Sequence, residues 1–210
     1  MTEIITPARA ARPTTPRFRL SFPQVFEAKS FNGGKPRFSL TALVWPKQFS
    51  DGDKAKWAQL KAEMNRVCLE FFKKDLKTMR ATPNFKFPFH AGNEKDYNGY
   101  GDPDMIFFTM ANSVKRPEII DQFLKPIGPE RSDELYPGCW CRASYSVYAF
   151  DILGKGVSIG LNNLRKLGDD VPFDSSSRAV DDFGADPEDA FMVEGDDTAS
   201  PTAADDFLDL

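Results

Sequence analysis

The chain has little of what most metal sites need. Its 210 residues include one histidine, His90, and three cysteines, Cys68, Cys139 and Cys141, with no C-x-x-C pair. A structural zinc ion takes four cysteine or histidine ligands, usually supplied in closely spaced pairs. We therefore expect no metal ion, and nothing else in the sequence indicates a cofactor.

Motifs of the common hydrolases are also missing. His90 lies in a proline-rich segment with no catalytic-triad signature near it, and Asn32-Gly33-Gly34-Lys35 lacks the eight-residue phosphate-loop pattern. The dense acidic group between Glu94 and Asp104 lies among Gly, Asn and Pro, which is typical of a solvated loop. A metal nuclease stays a remote alternative, and we expect that the protein is not an enzyme.

No window approaches the roughly eighteen apolar residues that a membrane-spanning helix needs, and the N-terminus has no apolar signal-peptide core. We expect neither membrane association nor export. Cys139 and Cys141 lie two apart in an apparent strand and so share one face. They are typical of buried thiols in a reducing compartment.

The last thirty residues contain no Lys or Arg, although they hold eleven of the 31 acidic residues. Residues 1–180 carry 27 Lys and Arg against 20 Asp and Glu, so a body of net charge +7 lies within a chain of charge −4. Such a tail is often only solubilising. Here Phe183, Phe191 and Phe207 are spaced among acids, which favours an aromatic anchor for an apolar pocket rimmed by Lys or Arg, or an imitation of a nucleic-acid strand.

Composition divides the chain into three parts. Residues 1–16, rich in proline and arginine, form no periodic pattern and are predicted to be a flexible basic arm. Residues 17–168 are predicted to form one domain, with order beginning near Arg17. Residues 169–210 are predicted to be a disordered acidic tail.

Five segments have the alternating or continuous apolar pattern of β-strands, namely 17–22, 37–45, 105–110, 139–150 and 156–161. In the first of them, Phe18, Leu20 and Phe22 are predicted to face inward. The fold class is therefore mainly β with a helical insertion.

The helical insertion begins at Ser50, which forms a capping-box pattern with Asp53. We predict a helix to about Met79, with an apolar stripe from Trp57 to Phe71 that covers the sheet. Residues 82–104 are predicted to be a long functional loop, and residues 118–135 a short helix with a loop.

Three strands place Arg, Ser or Thr and aromatic side chains opposite their apolar face. If these strands are neighbours, the outward side chains line one groove: Arg17, Arg19, Arg37, Trp140, Arg142 and Tyr148. Single-stranded nucleic acid binds such a surface because cations pair with phosphates and rings stack on bases, each stack contributing about 1–3 kcal/mol. The remaining predicted DNA-binding residues are Lys35, Trp45, Tyr97, Tyr100, Arg165 and Lys166.

Several stretches resemble a known family. They are VFEAKS at 25–30, GGKPRFS at 33–39, ANS at 111–113, KRP at 115–117, GCWCRASYSVYAF at 138–150, GKGVSIGLNNL at 154–164 and SRAVDDF at 177–183. In this order they resemble the single-stranded DNA-binding proteins of phages of the enterobacterial type, once catalogued as a domain of unknown function. The resemblance runs from about residue 17 to the tail.

The resemblance implies an OB fold, a five-stranded Greek-key barrel, which agrees with the five predicted strands. It implies sequence-independent single-stranded DNA binding in phage replication or recombination, in the cytoplasm of the infected bacterium. It also implies a tail that competes with DNA and contacts replication proteins such as a polymerase or helicase-primase. The expected docking peptide is Asp205, Asp206, Phe207, Leu208, Asp209 and Leu210.

Two questions stay open from the sequence. The protein is expected to be a monomer or weak dimer, with cooperative assembly on DNA undecided. The alternative function is that of an interaction protein whose acidic tail mimics DNA and inhibits a host nuclease.

Overall fold

The computed structural model describes residues 12–30, 33–97, 99–152 and 154–173. The strands and helices are, in chain order, β1 (Phe18–Lys29), β2 (Arg37–Val44), α1 (Asp51–Phe72), α2 (Leu76–Arg80), β3 (His90–Ala91), β4 (Ile106–Asn112), β5 (Glu118–Ile120), β6 (Trp140–Phe150) and β7 (Gly156–Gly168). No helix in the described ranges is long and apolar enough to cross a membrane. The predictions for residues 1–11 and for the tail beyond residue 173 lie outside the described residues.

Five of the strands close into a ring. Antiparallel pairing joins β4 to β2, β2 to β1, β1 to β6 and β6 to β7. A parallel pairing between β4 and β7, with Met110 opposite Ile159, completes the circle. The two short strands extend it, β3 on β4 and β5 on β7. The predicted mainly β fold with five barrel strands is confirmed.

Two local predictions are wrong. The segment beginning at residue 118 is not a helix, since Glu118–Ile120 is a strand parallel to β7 and only Pro129–Glu134 forms a 3-10 turn. The long helix also ends before Met79. Lys73 adopts a left-handed φ of 59° that terminates α1, and the carboxylate of Asp75 then caps the separate helix α2.

The apolar side chains that alternate along the strands point into the barrel and fill its interior, as the sequence predicted. The inward side chains are Phe18, Leu20, Leu40, Ala42, Phe108, Met110, Ala143, Tyr145, Ile159 and Leu161. The stripe of α1 covers this core with Trp57, Leu60, Met64 and Cys68, whereas Phe71 at its end is half exposed and departs from the prediction. Burial raises the pKa of Tyr145 to about 12, because the phenolate form would lose its hydration.

The chain joins the sheet before Arg17. Thr14 bridges to Ser144 on β6, and the backbone N–H of Thr15 donates to the carbonyl of Ala143 at 2.9 Å. The Thr15 hydroxyl accepts from the N–H of Ala143 at 3.1 Å and is fully buried. The end of the predicted flexible arm is therefore part of the fold.

A buried carboxylate fastens α1 to the barrel. Asp53, which is 2% exposed, lies in the first turn of the helix, where Ser50 caps its backbone N–H as predicted. Its carboxylate accepts from the backbone N–H of Arg17 at 3.1 Å and pairs with the guanidinium groups of Arg17 at 3.1 Å and Arg142 at 2.7 Å. Because a buried charge is tolerated only when it is paired, these contacts fix the helix against β1 and β6 together.

We expect Asp53→Ala to lower the free energy of unfolding by about 2–4 kcal/mol, since it leaves two arginines without their buried partner. The loss of stability should lie near the lower end of this range, because both guanidinium groups are partly exposed and water can still solvate them. Asp51→Ala is the matched control, since Asp51 is solvent-exposed in the same helical turn and should change stability by less than about 1 kcal/mol. Urea titration of both variants measures the difference, and equal losses would contradict the structural role of Asp53.

Candidate nucleic-acid interface

β2 and β4 present a second face to the outside of the barrel. The pairs on this face are Ser39 with Ala111, Thr41 with Thr109, and Leu43 with Phe107. We call Ser39, Thr41, Thr109 and Ala111 the polar strip. Thr109 is exposed, and its hydroxyl lies 3.4 Å from that of Thr41. Ser39, Thr41 and Leu43 are buried by overlying groups, so the open polar face predicted for β2 is only partly open.

One end of the polar strip carries a group of aromatic rings around a lysine, here called the aromatic cage. The ammonium of Lys95 lies 4.7 Å from the ring centre of Phe107, 5.6 Å from Tyr100, 5.8 Å from Phe22 and 5.9 Å from Tyr97. Phe22 is 48% and Tyr97 59% exposed. A cation and open rings together can hold a phosphate and an unpaired base.

The backbone of β1 turns Phe22 into this cage. The pairing of β1 with β2 slips between Ser21 and Gln24, and Phe22 adopts a φ of 45° immediately before Pro23. A bulge re-aims the side chain it contains, and a bulky residue with positive φ is strained. Phe22 therefore points outward instead of joining Phe18 and Leu20 inside, which corrects the sequence prediction.

Tyr100 anchors the loop that supplies the cage. Its hydroxyl donates to the Ser21 hydroxyl at 3.1 Å, and burial raises its pKa above the ordinary tyrosine value. The ring also packs on Phe107 and on Tyr97 at centroid distances of 5.3 and 6.0 Å. The predicted functional loop is thus fixed on the sheet by Tyr100, while Tyr97 at its tip stays open.

The other end of the strip carries a second cation and ring group, here called the basic cleft. A cavity of about 310 Å³ is lined by Lys35 from the turn before β2, by Arg37 from β2, by Ala111 from β4 and Ser113 directly after it, and by Tyr148 from β6. Lys35, Arg37 and the half-exposed Tyr148 were all predicted from the sequence, and the fold brings them together. The three side chains come from the turn before β2, from β2 and from β6, so no single strand could form the basic cleft.

The predicted single groove is wrong. Trp140 and Tyr148 share the outer face of β6, but eight residues separate them, which corresponds to about 26 Å along a strand. Arg17, Arg19 and Arg142 gather near Trp140, whereas Arg37 lies with Tyr148. The outward residues therefore divide between two places on the barrel.

The cations and the ring near Trp140 are covered by a later segment of the same chain, residues 170–173. The guanidinium of Arg19 lies between the rings of Trp140 and Phe173, at 5.4 and 4.7 Å, and pairs with Asp170 at 2.8 Å. The indole N–H of Trp140 donates to the same carboxylate at 2.7 Å. The pKa of Asp170 is lowered most by a hydrogen bond from the backbone N–H of Val171. The hydrogen bond from the indole of Trp140 and the positive charge of Arg19 lower it further.

Gly138 permits the close approach of this segment. It has a φ of +112°, and an added Cβ would lie 2.6 Å from the carbonyl oxygen of Val171. A side chain here would force the segment off the barrel. Residues 169–173, predicted as the start of the tail, are therefore packed on the body.

Other predicted residues also have partners within the chain. The indole N–H of Trp45 donates to Asp102 at 2.7 Å, and the buried ammonium of Lys166 pairs with Asp169 at 2.7 Å. Arg165 is exposed and donates to a backbone carbonyl at 2.9 Å. The predicted docking peptide, Asp205 to Leu210, lies outside the described residues.

Sequence reasoning missed Phe22, Lys95 and Phe107. Alternation assigned Phe22 to the core, and Phe107 belongs to a strand that reads as continuously apolar. The Pro23 that follows Phe22 is the one local signal of a break in that strand. Lys95 lies on the same loop as Tyr97 and Tyr100, but Phe22 and Phe107 reach it from β1 and β4 only after folding.

Comparison with known proteins gives one consistent result. A family model described as the ssDNA-binding protein of Enterobacter phage Enc34 matches residues 13–193. Putative protein p50 of Acyrthosiphon pisum secondary endosymbiont phage 1 is 28% identical over 172 residues, which are 79% of this chain and 88% of the relative.

Two solved structures share the fold. The single-stranded DNA-binding protein of bacteriophage Enc34 in complex with ssDNA matches with a TM-score of 0.60 and 22% identity, over 82% of this chain and all of that one. The same phage protein in a second structure matches with a TM-score of 0.58 and 20% identity, over 81% and 88%. Because the family model covers most of the sequence, the chain belongs to the family of the Enterobacter phage Enc34 ssDNA-binding protein.

Proposed function

We propose that this protein binds single-stranded DNA without sequence preference, along the polar strip between the aromatic cage and the basic cleft. The observation that carries the proposal is the cage, in which Lys95 is held among four rings and two of the rings are about half exposed. Phe22, Tyr97 and Tyr100 lie together around one cation, unlike a single exposed ring, which is common on protein surfaces. The solved Enc34 complex with ssDNA supports the same class of ligand.

The strip has the dimensions of a short single strand. From Arg37 to Leu43 the outer face of β2 extends about 20 Å, which fits the lower part of the range of about 4–16 nucleotides per OB fold. Lys35, Arg37 and Lys95 would meet phosphates. Tyr148 at one end and Tyr97 at the other would stack on bases, and stacking accepts any base.

In this proposal the protein is a binding protein and not an enzyme, and it acts in phage DNA replication or recombination within the infected bacterial cell. The tail ending in Asp205 to Leu210 competes with DNA and contacts replication proteins. Family membership and the charge division between a +7 body and an acidic terminal segment support this role.

Phe22→Ala should weaken binding to oligo-dT by about 5- to 100-fold, because one stacking ring is lost, and should leave the salt dependence unchanged. Phe71→Ala is the matched control, since Phe71 is also 48% exposed but lies on α1. Fluorescence anisotropy titrations at several salt concentrations measure both quantities. Equal affinity of the Phe22 variant and the unmodified protein would remove the cage from the site.

Lys35→Ala should reduce the slope of log affinity against log salt by about 0.7, the value for one phosphate contact on a single strand. Lys54→Ala removes another exposed lysine from α1, where Lys54 pairs with Asp51, and should leave the slope unchanged. The same titrations report the slopes. Identical slopes in the two variants would place the phosphate path away from the basic cleft.

Deletion of residues 181–210 separates the proposal from the DNA-mimic alternative. It removes eleven acidic residues and no basic one, so the net charge changes from −4 to +7. We expect the shortened protein to bind oligo-dT more tightly, with the largest gain at low salt. A shortened protein that binds no DNA and no longer inhibits a nuclease would favour the mimic.

A further inference from the structure

A cavity about twice the size of the basic cleft lies between α1, α2 and β3. Its volume is about 630 Å³, and it is here called the helical pocket. Trp57, Phe87 and Phe89 line it, with ring centres 4.6 Å apart for Trp57 and Phe89 and 5.3 Å apart for Phe87 and Phe89. A mostly apolar pocket of this volume can hold a small organic group such as a base.

The helical pocket adjoins the aromatic cage. His90 on β3 lines the pocket and is paired with Phe107 on β4, which is one of the rings of the cage. The imidazole of His90 stacks on the Phe107 ring at a centroid distance of 5.1 Å and an interplanar angle of 19°. The His90 side chain is also 47% exposed. The rings of Tyr100, Phe107 and His90 thus form a row that leads from the cage to the pocket.

Three cations surround the helical pocket. Lys61 on α1 and Lys77 and Arg80 on α2 line it and are exposed, and none of them is in a salt bridge with a described residue. The guanidinium of Arg80 lies 4.5 Å from the ring centre of Phe87, and the ammonium of Lys61 lies 6.0 Å from that of Trp57. The described residues that line the pocket include no Asp or Glu. Rings beside cations without a competing acid suit a base with its phosphates.

Glu94 is an acid beside the row of rings. Its carboxylate accepts from the backbone N–H of Ala91 at 2.9 Å and lies 3.0 Å from Nδ1 of His90. Two partners within its own loop therefore engage this charge, and the ring of Phe107 next to it carries the ammonium of Lys95 at 4.7 Å.

We propose that the helical pocket extends the single-stranded DNA site and takes a base that lies beyond the aromatic cage. This inference rests on the proposed function, because the strand reaches the pocket from the cage over His90. The base lies among the rings of the pocket, and the phosphates on either side pair with the three cations around it. The whole site is then longer than the roughly 20 Å of the polar strip, so only a longer strand fills it.

The three tryptophans test this inference on the full chain by fluorine NMR after incorporation of 5-fluorotryptophan. Trp57 reports on the helical pocket and Trp45 on the neighbouring cage, while Trp140 lies on the face that residues 170–173 cover. We expect an oligo-dT of about four nucleotides, the lower limit for one OB fold, to shift the resonance of Trp45 alone. An oligo-dT of about twelve nucleotides should shift the resonances of both Trp45 and Trp57.

The outcomes separate this inference from the proposed function. A longer oligonucleotide that shifts Trp45 and leaves Trp57 unchanged would overturn the role of the pocket and keep the DNA path. Equal shifts of Trp57 with both lengths would also overturn it, because the pocket would then not lie beyond the strip. A shift of Trp140 without one of Trp45 would contradict both proposals. A Trp57 shift with poly-glutamate but not with DNA would assign the pocket to an acidic protein ligand instead.

Salt dependence gives a second test of the same inference. Arg80→Ala should reduce the slope of log affinity against log salt by about 0.7 with the longer oligonucleotide and leave it unchanged with the shorter one. Arg80→Lys keeps the charge and should retain the full slope. Lys74→Ala removes an exposed cation just before α2 that does not line the pocket, and it should change neither slope. If Arg80→Ala has the same effect at both lengths, or none, the strand does not extend into the helical pocket.

Discussion

The buried carboxylate of Asp53 is the interaction on which the arrangement of the surface depends. It binds the guanidinium groups of Arg17, directly before β1, and of Arg142 on β6, and so joins α1 to these two paired strands. A carboxylate at this depth needs both partners, since burial without them would be far more costly than the pairing returns. Arg17 and Arg142 therefore have a structural role, which is to neutralise the buried carboxylate of Asp53. The outer face of these strands is not an open cationic surface, although its composition suggests one.

Carboxylates of the chain also neutralise cations on the neighbouring part of the barrel. Asp169 and Asp170 open the acidic region, and they neutralise Lys166 and Arg19 while Phe173 covers the guanidinium of Arg19. Lys35 and Lys95, which the proposed function assigns to phosphates, lie instead at the two ends of the polar strip on β2 and β4. Arg17, Arg19 and Arg142 would have to lose these contacts before they could meet a phosphate, which disfavours a DNA path over the outer face near Trp140.

Much of the fold could be predicted because it depends on local patterns. Alternation located four of the five barrel strands and a continuous apolar run located β4, while Ser50 with Asp53 marked the start of α1. The wrong predictions have two kinds of cause, namely unusual backbone conformations and contacts between distant parts of the sequence. Lys73 ends the helix through a left-handed residue that has no glycine signal, and Phe22 leaves the core through a bulge. In the site, Arg37 and Tyr148 followed from strand parity, whereas Lys95 could not, because Phe22 and Phe107 meet it only after folding.

The bulge at Phe22 connects strain to the proposed function. A phenylalanine with φ of 45° costs on the order of 1–3 kcal/mol, and an uninterrupted β1 would bury the ring at no such cost. The ring is instead held half exposed beside Lys95, Tyr97 and Tyr100. A strained backbone that exposes an aromatic ring opposes stability on both counts. Under the proposed function, its benefit would lie in binding. Stacking with a base would offset the strain, since it is worth a similar free energy.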